Sequence, residues 1–168
     1  NYMIDDIDPS TNGEATLTLS RPLLLYGQFA ELTVVFPEPV TSSSFSSADD
    51  INLDNATGTI TTQMSPIDND NKTIWRGIFT PTTNVEVDNN TITLAASWTD
   101  QVGNPGTSVT TSNFEVDTLR PTASSFTFSV TDNTTYNGTP FSGTPALKSS
   151  DNATLTVVFS EPVVFTSA

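Results

Sequence analysis

The sequence predicts an all-β chain, and three observations predict it. Apolar and polar residues alternate at period two, clusters of Pro, Gly, Asn, Asp and Ser separate the alternating stretches, and no segment sustains a 3.6-residue period. Threonine, valine, isoleucine and phenylalanine dominate the alternating stretches, and these side chains suit a pleated, half-buried surface.

The predicted strands follow in order. Ala15-Thr16-Leu17-Thr18-Leu19 alternates strictly, and Glu31-Leu32-Thr33-Val34-Val35-Phe36 is stopped by Pro37, which cannot donate to a ladder. Asp50-Ile51-Asn52-Leu53 reads as a short edge strand, and Gly58 to Met64 and Thr73 to Phe79 are two longer ones. Thr91 to Trp98 and Ser112 to Val116 complete the set. About seven short strands over roughly 110 residues is the count of an immunoglobulin-like β-sandwich with Greek-key connections.

Composition removes most chemistries. The 168 residues include no histidine and no cysteine, which excludes Ser-His-Asp and Cys-His nucleophiles, histidine metal sites, zinc ribbons and disulfides. Five basic residues against nineteen carboxylates give a net charge of −14, which would repel a phosphate backbone, so no nucleic-acid partner is expected. No run approaches the roughly 20 apolar residues of a membrane span, so no membrane insertion is expected of this segment. Ten phenylalanines and two tryptophans supply a core, and Trp75 and Trp98, at inward positions of their strands, belong to it rather than to an exposed stacking platform.

Internal repetition is the strongest signal. Asn1-Tyr2-Met3-Ile4-Asp5-Asp6-Ile7-Asp8-Pro9-Ser10 matches Asn113-Phe114-Glu115-Val116-Asp117-Thr118-Leu119-Arg120-Pro121-Thr122 at an offset of 112 residues. Ala30-Glu31-Leu32-Thr33-Val34-Val35-Phe36-Pro37-Glu38-Pro39-Val40 matches Ala153 to Val163 at an offset of 123, which places an insertion within residues 132–140 of the second copy. Residues 1–8 therefore read as the last strand and linker of a preceding repeat, 9–119 as a complete repeat, and 120–168 as the N-terminal part of the next. That last part offers two or three strands, an assembly that is marginal when its apolar face meets water.

These residues resemble the bacterial immunoglobulin-like repeats of large RTX-type adhesins and other cell-surface proteins. The resemblance rests on the strand ends Val34 to Val40 and Val157 to Val163, on Asp49 to Leu53, on Trp75 to Thr82, on Trp98 to Asn104 and on the linker Val116 to Thr122. Pro37 and Arg120 depart from the pattern, which has serine and a neutral residue there. The resemblance implies a non-enzymatic, extracellular spacer module. Its partners would be neighbouring repeats of the same polypeptide, or like chains in a fibre. The runner-up readings are a glycan- or protein-binding module and a filament subunit completed by another chain's strands.

Loops of a sandwich gather at its two poles, so Glu38 and Asp100 are expected to approach the linker Asp117. Hard oxygens converging in this way suit Ca²⁺, and the resemblance implies calcium at repeat junctions; the candidate ligands are Asp117, Asp100, Glu38, Asp5, Asp8 and Glu161. The competing reading is that Asp100 caps its own turn and the linker aspartates are solvated. Asp68-Asn69-Asp70-Asn71-Lys72 lacks the glycine and glutamate of a calcium-binding EF loop and reads as a hairpin tip, and Asp88-Asn89-Asn90 reads as a turn.

Overall fold

Threonine-aliphatic alternation builds the strands, and the inward member of each pair builds the core. The computed structural model describes residues 13–68, 72–130 and 152–165, and the chain divides into two compact units, Asn1–Leu119 and Arg120–Ala168. The first unit runs β1 (Thr16–Leu19), β2 (Leu23–Leu25), β3 (Ala30–Val35), β4 (Ile51–Asn52) and β5 (Gly58–Pro66). It continues through β6 (Ile74–Pro81), β7 (Glu86–Asn90), β8 (Thr93–Leu94), β9 (Val109–Thr110) and β10 (Phe114–Asp117).

β1, β3, β6 and β5, in that order, form an antiparallel four-stranded sheet, and β2, β10 and β7 form a second sheet in which β2 lies parallel to β10. β4, β8 and β9 make a small third sheet. The fold is an all-β sandwich of immunoglobulin type, with Leu17, Leu24, Leu32, Val34, Phe79, Phe114 and Val116 among its buried core. Both tryptophans are buried, as their alternation predicts, at 4% exposure for Trp75 and 1% for Trp98. They end a chain of rings, Trp98–Phe36–Phe45–Trp75, with successive centroids 4.7, 5.0 and 5.2 Å apart.

Seven of these strands answer to the seven expected; β2, β7 and β9 are additional. β2 escaped because Leu23-Leu24-Leu25 shows no alternation, although only Leu24 points inward. The expected strand Thr91 to Trp98 shortens to β8, since Ala95 N–H donates to Asp50 O and Ser97 Oγ donates to the buried Asp50 carboxylate, which turns the chain. Asp88-Asn89-Asn90 is not a turn but the end of β7. Fully buried Asn90 donates from Nδ2 to Val87 O and Phe114 O and accepts from Thr57 N–H, so a polar side chain supplies bonds that the register shift in β10 leaves unmade.

In the second unit β11 (Ala123–Val130) pairs antiparallel with β12 (Ala153–Phe159). Its register puts Phe126 opposite Val157 and Phe128 opposite Leu155, where the first unit has Leu17 opposite Val34 and Leu19 opposite Leu32. The expected insertion at residues 132–140 lies outside the described residues.

Candidate functional site

The strands carry the candidate carboxylates to opposite poles. β2 and β10 run in parallel towards the turn at Leu25–Gln28, so Asp117, in register with Leu25, ends at that pole. β3 leaves the same turn and runs the other way, delivering Glu38 to the far pole after six residues, about 20 Å at the usual strand rise. Asp100 sits at that far pole too, because Thr99 N–H donates to Ser44 O in the loop that follows Glu38. Glu38 and Asp100 therefore do not approach Asp117 within the unit; the expected convergence fails because β3 and β10 point in opposite directions. Asp5 and Asp8 lie outside the described residues.

Asp100 is buried, and its own loop occupies it. Oδ1 accepts the amides of Val102, Gly103 and Asn104 at 2.9, 2.7 and 2.8 Å, and Oδ2 accepts Asn104 Nδ2 at 2.7 Å. Burial pushes its pKa up, but the Asn104 amide, the Asn104 side chain and the Val102 and Gly103 amides outweigh it and hold the carboxyl below the usual value. This is the turn-capping geometry. The loop closes over Trp98, whose Nε1 donates to Thr107 O at 3.0 Å while Gly106 N–H donates to Trp98 O.

Asp68 behaves alike at the β5–β6 hairpin, where Asn69, Asp70 and Asn71 lie outside the described residues. Desolvation raises its pKa, but the Thr73 hydroxyl at 2.5 Å and the amides of Ile74 and Thr73 bring it down to about 2.

Asp117 and Glu161 differ from both. Asp117 Oδ1 in the first unit and Glu161 Oε1 in the second are each buried without a hydrogen-bond partner. A buried carboxylate oxygen without a donor is unfavourable, and a hard divalent cation is the chemistry that suits it. Asp100, with its oxygens committed to its own loop, fits a cation poorly. Among the described residues no three carboxylates cluster around one point.

The exit from the first unit is fastened by a residue the sequence did not single out. Thr118 is buried, its hydroxyl donates to Thr82 O at 2.7 Å and accepts from Val85 N–H at 3.1 Å, and its amide donates to Val85 O. A threonine after an aspartate carries no distinctive pattern, so only the fold reveals it. Tyr26 and Phe29 were likewise missed: Tyr26 precedes Gly27 in the Leu25–Gln28 turn, Phe29 follows the turn, and they are 51% and 59% exposed.

Comparison with known proteins gives one result for the chain: residues 9–116 match the family model described as bacterial Ig-like domain. No curated protein and no solved structure matches it.

Proposed function

Because the chain belongs to the bacterial Ig-like domain family, we propose that it is a structural spacer of a repetitive cell-surface adhesin or surface fibre, rigidified by calcium at its repeat junctions. Domains of this family are typically non-catalytic and often extracellular, and no helix among the described residues is long and apolar enough to cross a membrane.

Repetition carries the reading: one strand-and-linker signature and one strand-end signature each occur twice in 168 residues, in the order that successive modules require. A linker of about four residues containing a proline restricts the angles that neighbouring modules sample. The proposed ligands are the linker aspartates Asp117, Asp5 and Asp8 and the strand-end glutamates Glu38 and Glu161. The partnerless oxygens of Asp117 and Glu161 support that assignment. Calcium would supply positive charge to a chain of net charge −14, whose carboxylates otherwise repel one another.

The test is thermal unfolding and small-angle scattering of the chain in millimolar calcium and in chelator. At a calcium concentration about 100 times the dissociation constant, one site adds about 2.7 kcal/mol, a rise of roughly 5–10 °C in Tm. Asp117→Asn with Glu161→Gln removes that site's contribution to the rise. Identical melting and scattering profiles in calcium and chelator would reject the calcium reading.

A further inference from the structure

The pole at which β10 ends carries a groove of about 240 Å³ lined by Tyr26, Gln28, Phe29, Thr80, Pro81 and Thr83. Its two aromatic rings are 51% and 59% exposed, in a unit that buries both tryptophans and Phe36, Phe45, Phe79 and Phe114. Both rings line one groove and combine a large apolar face with a rigid side chain, which suits contact with a ligand.

The turn that presents them is locked. Gln28 N–H donates to Leu25 O at 3.0 Å, Leu25 N–H donates to Gln28 Oε1 at 3.1 Å, and Gly27 holds the φ of +76° that a type II turn needs at its third position. The rings therefore stand on a preorganised backbone, which lowers the entropy lost on binding.

The lining contains no charged residue, although the chain holds 24. It offers instead the hydroxyl of Thr83 and the carboxamide of Gln28, whose nitrogen takes no part in the turn bond, while the Thr80 hydroxyl is paired with that of Thr61 at 2.9 Å. Beside it, Asp117 pairs with Leu25 and with Glu86, so two carboxylates border the turn and repel anions. Aromatic faces for the C–H surface of a ring, neutral donors and acceptors for its hydroxyls, and a negative border together select an uncharged sugar. The groove is smaller than the roughly 300–1,000 Å³ usual for enclosed ligands, a size that suits one exposed sugar unit rather than a buried molecule.

We propose that the Tyr26–Phe29 turn and the neighbouring Thr80–Thr83 segment form a binding site for a neutral saccharide. The reading does not depend on the spacer role; its negative border requires Asp117 without bound calcium, so the discrimination against sialyllactose is read in chelator.

Amide chemical shifts of the intact chain, titrated to millimolar concentration with neutral oligosaccharides of glucose, galactose, mannose and N-acetylglucosamine and with sialyllactose, test it. Expected are saturable shifts confined to residues 26–29 and 80–83 with at least one neutral sugar, and none there with sialyllactose. Tyr26→Ser and Phe29→Ser each weaken that binding at least about tenfold without moving Tm, since both side chains are exposed. The proposal is overturned by no shifts across the neutral panel, by shifts that survive both substitutions, or by equal binding of sialyllactose. Concentration-dependent shifts of the same residues without sugar would also overturn it, by making the patch an interface between copies.

Discussion

A β-carbon on Gly106 would lie 1.9 Å from Cε2 of Trp98, so the loop can close over the indole only where no side chain exists. Gly106→Ala must displace either the loop or the buried ring, and is expected to cost about 1–3 kcal/mol by chemical denaturation. Unchanged stability would mean that the loop does not seal the core. Asp100 makes the complementary case, in which the side chain is indispensable because three amides converge on one oxygen. Asp100→Ala orphans them and should cost about 2 kcal/mol or more. Folding depresses the pKa of both Asp100 and Asp68, Asp68 to about 2. A depressed carboxylate stabilises fully above its unfolded value near 4, and that contribution is lost as pH falls through the folded value. Stability should therefore decline from about pH 4 towards pH 2, and Asp100→Asn should flatten the decline; an identical slope in the variant would refute the assignment.

At the scale of elements, the two units contain a similar antiparallel strand pair under different cover. Leu17 and Leu32 of the β1–β3 pair are 5% and 0% exposed, whereas Phe126, Phe128 and Leu155 of β11–β12 are 70%, 59% and 53% exposed. The β1–β3 pair has the β2-β10-β7 sheet over its apolar face, and the described strands of the second unit supply no such layer. Pairing alone gives little stability. Amides of β11 and β12 should consequently exchange with solvent at least about a hundredfold faster than those of β3 and β6, and comparable protection would show that the second strand pair is as well supported as the first. β7 illustrates a different dependence. Its end is held by one buried carboxamide serving Thr57, Val87 and Phe114, so Asn90→Ala is expected to cost about 1–3 kcal/mol, although its neighbours Asp88 and Asn89 are exposed.

At the scale of the molecule, the proposed spacer role makes stiffness depend on a cation, in a chain of net charge −14. The length of the particle, and not only its melting temperature, is then the property that chelation should change.

Period-two alternation, the turn clusters between strands and the two offset repeats determined the β class, the seven principal strands and the interior placement of both tryptophans. Each depends on residues close in sequence, or on recurrence visible without coordinates. Only the tertiary structure decided that Glu38 and Asp117 stand at opposite poles, that Asp100 is spent on its own loop, that Asn90 ends a strand, and that Tyr26 and Phe29 face solvent. These depend on strand direction, on which groups meet across the fold and on which faces another layer covers, and a one-dimensional pattern of apolar and polar residues carries none of the three.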